Sequence, residues 1–168
     1  IEEIIDFSRN ARQNVIQEKF LLLPVVKESV ENLKFAEGME KICVRLDISP
    51  TLAIVSDLPR FKVVLQNLID NAFKYHDAGK ERQEVFINAN VENAQVKINI
   101  EDNGLGIAEE HKSKIFEMFY RASEKSQGSG LGLYIVKETL VKLKGSIQLD
   151  SNLGQGSRFT IRLPNQIN

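Results

Sequence analysis

The sequence predicts an α/β (α+β) two-layer sandwich in which a mixed, largely antiparallel sheet packs on helices. Three observations predict it. Apolar residues recur at helical spacing after Asp57 and from Gly130 to Leu143. Gln83 to Ile100 and Ser146 to Leu163 instead look like strand hairpins with short turns between the strands. The 168 residues, 42% hydrophobic and 27% charged, suffice for one core of ordinary size.

The elements follow in order. Ile1, Ile4, Ile5, Ser8, Ala11, Arg12 and Val15 fall at helical spacing, an amphipathic pattern too short to be stable without a partner. Glu18 to Leu23 reads as a strand. Pro24 suits the first turn of a helix running to about Glu37 and stopped by Gly38. Cys43 to Ile48 and Leu52 to Val55 are short strands around a Ser49-Pro50 break. Ser56 or Asp57 caps a long helix with Pro59 near its start and Phe61, Val64, Leu65, Leu68 and Ala72 as its buried stripe. Gln83–Val91 and Gln95–Ile100 form a hairpin turning at Glu92-Asn93. A glycine-rich segment, a short helix, an aromatic cluster (Ile115 to Tyr120) and a polar stretch lead to the helix at 130–143. Ser146–Asp150 and Ser157–Leu163 close the chain as a hairpin around Gly154 and Gly156.

Composition excludes several classes of function. A net charge of −1 supplies no field for nucleic acid or an anionic membrane. The single cysteine, Cys43, cannot form an internal disulfide, fits a reducing compartment, and reads as a small apolar strand residue. No apolar run reaches the ~20 residues that span a bilayer. The chain begins at Ile1 inside a helical pattern, so a longer, cytoplasmic parent protein is expected, with a membrane anchor elsewhere in it left open.

Three polar segments interrupt otherwise regular elements, which is where function concentrates. Asn67, Asn71, Lys74 and Tyr75 share one face of the long helix. Carboxamide oxygens suit Mg²⁺ and a lysine one turn on reaches phosphate, although a solvated polar face explains the spacing equally well. Asp102-Asn103-Gly104-Leu105-Gly106-Ile107 follows an apolar strand. Its aspartate can accept from an exocyclic amine and its glycines admit close approach; a tight capped turn is the alternative. Gly128-Ser129-Gly130-Leu131-Gly132-Leu133 precedes a helix, where backbone amides favour phosphate, or it is a flexible hinge. It lacks the strand and acidic residue of a Rossmann unit and the Lys-Ser/Thr ending of a P-loop.

In order, these segments resemble the N, G1, F and G2 boxes of sensor histidine kinase catalytic domains. The N box is Asn67 to Tyr75, the G1 box Asp102 to Gly106, the F box Ile115 to Arg121 and the G2 box Gly128 to Leu133. Gly154 to Pro164 is similar to that family's last hairpin, so the resemblance covers about Glu18 to Pro164. It implies a Bergerat-type ATP-binding fold and roles position by position. Asn71 and Asn67 would hold Mg²⁺, Lys74 would contact phosphate, and Tyr75 would line the site. Asp102 would bind the adenine amine, helped by the Ser157 hydroxyl, with Gly104, Gly106 and Ile107 shaping the base pocket. Gly128, Gly130 and Gly132 would form the hinge of a small lid spanning Ala122 to Gln127, supported by Phe116 and Phe119, and these glycines with Leu131 and Leu133 would bind the nucleotide. Arg121 would reach the γ-phosphate or sit solvated on the lid.

Gyrase-, chaperone- and MutL-type ATPases share the fold and carry a water-activating glutamate four residues before the metal-binding Asn. Here that position is Asn67, and a carboxamide takes no proton at neutral pH. Transfer to an imidazole, a good nucleophile when neutral, is the implied reaction. The family's acceptor histidine lies on a dimerising helical hairpin. His76 sits at a helix end and His111 on a polar helix, where solvation is expected, so neither is expected to accept phosphate. Residues 1–17 resemble the tail of that hairpin, and 18–168 the catalytic domain. The implied partners are the hairpin, a response regulator receiver domain and a second copy of the parent protein. An ATP-binding interaction module without transfer, or an ATPase, is the alternative.

Overall fold

The computed structural model describes residues 13–34, 41–122 and 128–165. The elements are β1 (Glu18–Leu21), α1 (Leu22–Lys34), β2 (Cys43–Asp47), β3 (Ala53–Ser56) and α2 (Leu58–Lys74). They continue with β4 (Glu84–Glu92), β5 (Gln95–Asp102), α3 (Glu109–Lys112), α4 (Gly132–Lys142), β6 (Ser146–Asn152) and β7 (Gly156–Pro164). A five-stranded sheet runs β2-β4-β5-β7-β6, and β1 with β3 makes a separate ribbon. Among the described strands β2 pairs with β4 in parallel, and the other pairs are antiparallel.

One face of the sheet is apolar because the strands alternate. Val85, Ile87, Val96, Ile98, Ile100, Phe159, Ile161 and Leu163 point into the core. They meet Val26 of α1, Phe61, Leu65, Leu68 and Ile69 of α2, and Val136 and Leu140 of α4, all buried. The five stripe positions expected on α2 are all in this core. The opposite face is polar and linked across strands. Asn99 Nδ2 donates to Asn88 Oδ1 at 2.8 Å, and Thr160 Oγ1 donates to Asn99 Oδ1 at 2.8 Å. The result is the expected two-layer sandwich of mixed, largely antiparallel sheet on helices.

Asp57 caps α2, accepting the Arg60 amide at 3.1 Å, with Pro59 in the first turn. The same two side chains form a buried ion pair. Arg60 also donates to the Gln13 carbonyl at 2.8 Å and the Asn14 carbonyl at 3.3 Å, and Asp57 accepts the Ile16 amide at 3.1 Å. Burial alone would raise the Asp57 carboxyl, but the Arg60 and Ile16 bonds and the guanidinium outweigh it and hold it below the usual range. Residues 13–16 are thereby fastened to the start of α2.

Several expectations shift by a residue or two. The β4–β5 turn lies at Asn93-Ala94, both at positive φ (51° and 58°), rather than at Glu92-Asn93. β5 extends past Ile100 to Asp102 because Asp102 pairs with both Val85 and Ser157. α4 starts at Gly132, since Gly130 holds a non-helical φ of +75°. Cys43 lies in edge strand β2 but is exposed, not packed. Residues 1–12, most of the expected first helix, lie outside the described residues, as do Gly38 and lid residues 123–127. No helix among the described residues is long and apolar enough to cross a membrane.

Candidate nucleotide-binding site

β5 delivers Asp102 to one end of a cavity of about 620 Å³. Its Oδ1 accepts the Gly104 amide at 2.8 Å, and the Ser157 amide bonds to the same carboxylate. Burial nevertheless pushes its pKa up to about 6, opposed by these two amides and by nearby Lys80. The turn after Asp102 is fixed on every side. Asn103 Oδ1 accepts the Glu84 amide at 2.9 Å, and the Leu105 amide donates to the Tyr75 carbonyl at 2.9 Å. A Cβ on Gly104 would lie 2.2 Å from that carbonyl oxygen, and one on Gly106 (φ +69°) 2.0 Å from the Asn152 oxygen. Only glycine permits this approach between the turn, α2 and the β6–β7 hairpin.

Ser151 completes that end. Its Oγ accepts the Ile107 amide at 2.9 Å and donates to the Gly156 carbonyl at 2.8 Å. A hydroxyl has one proton, so in the 2.9 Å contact between the serine hydroxyls Ser157 is the donor. Ser157 Oγ keeps its lone pairs as acceptors beside the Asp102 carboxylate. Two such acceptors side by side suit an exocyclic amine. Ile107, Ile115, Leu133 and Phe159 supply apolar walls for a flat base, and Phe116 packs edge-on against Phe159 at 6.5 Å.

The other end is polar. Asn71 and Tyr75 line the large cavity and also a smaller one of about 110 Å³, which Asn67, Asp70, Lys74, Gly128, Ser129, Gly130 and Gly132 share. Lys74 Nζ lies 2.6 Å from Asp70 Oδ2. Asn67 Nδ2 donates to the Val63 carbonyl at 2.8 Å, which leaves Oδ1 2.8 Å from where a Cβ on Gly132 would stand. Gly132 thus lets the start of α4 close onto the α2 carboxamide. Gly130 packs on the backbone of Phe119 and Tyr120, so the segment before residues 123–127 and the glycines after them meet.

The sequence matches the family described as Histidine kinase-, DNA gyrase B-, and HSP90-like ATPase over residues 56–167. The chain belongs to this family. It is 35% identical to the sensor-like histidine kinase SenX3 of Mycobacterium tuberculosis over 83% of this chain and 34% of SenX3. It thus spans about a third of that relative's length. Among solved structures it is similar to the histidine kinase AdeS of Acinetobacter baumannii, at a TM-score of 0.79 and 30% identity, covering 99% of this chain and 77% of that one. It also resembles full-length ShkA, determined in complex with AMPPNP, at a TM-score of 0.81 and 25% identity, over 99% of this chain and 35% of ShkA. The chain is an ATP-binding domain of the sensor histidine kinase type.

Within this kinase-type domain most residues singled out from sequence converge. Asn71, Tyr75, Asp102, Gly106, Ile107, Arg121, Gly130, Leu133 and Ser157 line the large cavity. Asn67, Lys74, Gly128 and Gly132 gather at the smaller one. Gly104 acts through its backbone. Leu131 has a buried side chain and lines neither cavity, so its backbone is what it can offer a ligand. Phe119 is 57% exposed, and residues 123–127 of the lid it is expected to support lie outside the described residues. His111 is not simply solvated: it lines the cavity, with Nδ1 2.6 Å from the Tyr120 hydroxyl. His76 Nδ1 meets the Phe73 carbonyl at 2.7 Å, an ordinary helix-end contact. Sequence reasoning missed Lys80, Ser151 and the pairing of Asp70 with Lys74. The last was legible as an i,i+4 acid–base pair; the first two depend on non-local contacts.

Proposed function

We propose that this chain is the catalytic part of a two-component sensor histidine kinase. It binds ATP with the adenine amine on Asp102 and Ser157 and delivers the γ-phosphate to a histidine outside residues 1–168. The observation that carries this reading is Asn67. Its Nδ2 donates to the α2 backbone at Val63 and its oxygen faces Gly132, and a carboxamide is no base at neutral pH, so it cannot accept a proton from attacking water. A neutral imidazole needs no such base. The nitrogen attacks phosphorus, ADP leaves, and catalysis rests on position and charge.

Asn71, joined by Asn67, offers carboxamide oxygens that would hold Mg²⁺, which when bound would neutralise phosphate charge. No cluster of three or more His, Cys, Asp or Glu exists among the described residues, so the ion would depend on carboxamides, water and the nucleotide itself. Lys74 reaches phosphate after leaving Asp70. Arg121, which lines the cavity, lies on the lid side. The partners that fit are a dimerising acceptor hairpin, a response regulator receiver domain and a second copy of the parent, with the domain in the cytoplasm.

The test supplies the chain with Mg-ATP and a separately made acceptor hairpin. Acid-labile phosphohistidine should appear on the hairpin and not on His76 or His111. Steady ATP hydrolysis without acceptor would instead make it an ATPase, and binding without transfer an interaction module. Asn71→Ala should lower transfer about 100-fold, about 2.7 kcal/mol of barrier, while affinity for metal-free ADP stays nearly unchanged.

A further inference from the structure

Lys80 belongs to no sequence motif of the site, yet the fold brings it there. The residues after α2 form a tight turn. The Lys80 amide donates to the Asp77 carbonyl at 3.1 Å, and Asp77 Oδ1 accepts the Gly79 amide at 2.9 Å. An aspartate that folds back on the backbone two residues on is a self-locking turn. It presents the Lys80 side chain in one direction. The half-buried ammonium reaches the Asn103 carbonyl, the Gly154 carbonyl at 3.1 Å and the Gly104 carbonyl at 3.4 Å. Lysine has three donors and no acceptor, so these carbonyls match its full capacity.

Those carbonyls belong to two segments that must stay in register for a base to fit. Asn103 and Gly104 follow Asp102, and the Gly104 amide bonds the Asp102 carboxylate. Gly154 is the tip of the β6–β7 hairpin; its amide donates to the Leu105 carbonyl at 2.7 Å. Resting on the reading of Asp102 as the adenine acceptor, we propose that Lys80 is a positioning residue for nucleotide selection. It clamps the turn after β5 to the β6–β7 hairpin and so fixes the direction in which the Asp102 carboxylate faces the base. The ammonium also lies close enough to Asp102 to favour its ionised, acceptor-only form. Glu101 acts on Asp102 in the opposite sense.

The test compares wild type, Lys80→Met and Lys80→Arg by titration calorimetry with ADP and with Mg-ATP, and by amide exchange without nucleotide. Lys80→Met keeps the apolar stem and removes every donor. It should weaken ADP about tenfold, as loss of charge-assisted bonds does, and leave the ratio of Mg-ATP to ADP affinity unchanged. The Gly104, Leu105 and Gly154 amides should exchange faster while those of β4 and β7 keep their protection. Lys80→Arg, which keeps charge and donors, should come within threefold of wild type. ADP affinity within twofold of wild type in Lys80→Met overturns the proposal, and so does an Lys80→Arg protein that folds but binds as weakly as Lys80→Met. If Lys80→Met does not fold, the arginine variant and the wild-type exchange pattern still decide. Failure of wild type to bind ADP at all would count against the adenine site itself, a distinct result.

Discussion

The two ends of the cavity are built on opposite principles. At the base end the polar groups are held in direction by protein partners: Asp102 by the Gly104 and Ser157 amides, Asn103 by the Glu84 amide, and Ser151 by three partners. The backbones there approach so closely that a single Cβ would overlap an oxygen. At the phosphate end the side chains are loosely held. Lys74 and Asp70 are both about one-third exposed, and a Cβ on Gly128 would meet nothing within 4 Å among the described residues. A base of fixed shape rewards preorganisation, because donors and acceptors set in advance cost nothing to arrange on binding. A triphosphate that must be admitted, held and released calls for groups that can exchange partners.

The sharpest way to break this contrast is to add one methyl group at each end. Gly106→Ala puts a Cβ 2.0 Å from the Asn152 oxygen at a φ of +69°, and both obstacles are backbone. ADP affinity should fall at least 100-fold and stability by about 2–4 kcal/mol. Gly128→Ala meets nothing within 4 Å among the described residues, and the cost expected there is the strain of its φ of +114°, about 1–2 kcal/mol. Calorimetry and urea unfolding of both variants test this. Equal damage at the two positions would end the distinction.

Asp102 sharpens it further. Asp102→Asn replaces an acceptor with a donor facing the adenine amine and should weaken ADP about 10- to 100-fold. The charge also leaves a mark without nucleotide. The carboxyl titrates at about 6 in the folded chain against 3.8 for an ordinary aspartate, so the folded chain binds the proton more tightly. Raising the pH from about 4 to about 6 therefore removes stability, and above 6 the full cost of the buried charge remains, about 3 kcal/mol. Thermal unfolding of wild type should show this decline, and Asp102→Asn should lack it. Identical pH profiles would mean that the carboxylate is well solvated.

The sequence exposed this site unevenly, for a physical reason. Asn67, Asn71, Lys74 and Tyr75 were legible because helical spacing alone puts them on one face. Asp102 and Gly106 were legible as a polar break after an apolar strand. Their partners were not. Lys80 meets Gly154 across 74 residues, and Ser151 meets Ile107 across 44, and no local pattern encodes such contacts. Element types followed from periodicity, while boundaries moved wherever a tertiary bond extended a ladder, as at Asp102, or a positive φ ended a helix, as at Gly130. At Leu131, between two glycines of a phosphate-type motif, the side chain is buried, which the motif alone does not show.

The smallest effect expected is at the phosphate end, on the Asp70–Lys74 pair. The two lie 2.6 Å apart, four residues apart on α2, and each side chain is about one-third exposed. A pair so placed contributes only about 0.3–0.5 kcal/mol to the helix, so Asp70→Asn should leave thermal stability almost unchanged. Its consequence for binding has the opposite sign. If Lys74 meets a phosphate as proposed, its ammonium must first leave Asp70, and the carboxylate left behind would repel the triphosphate. Removing that charge should raise ATP affinity about two- to fivefold, diminishing with added salt as screening grows. ADP should gain less than ATP, and the response of binding to Lys80→Met should be unchanged, because the two lysines serve different ends of the cavity. Calorimetry at two salt concentrations reads all three quantities. A loss of ATP affinity in Asp70→Asn would mean that the carboxylate holds Lys74 in its working position, and the phosphate end would then be as preorganised as the base end.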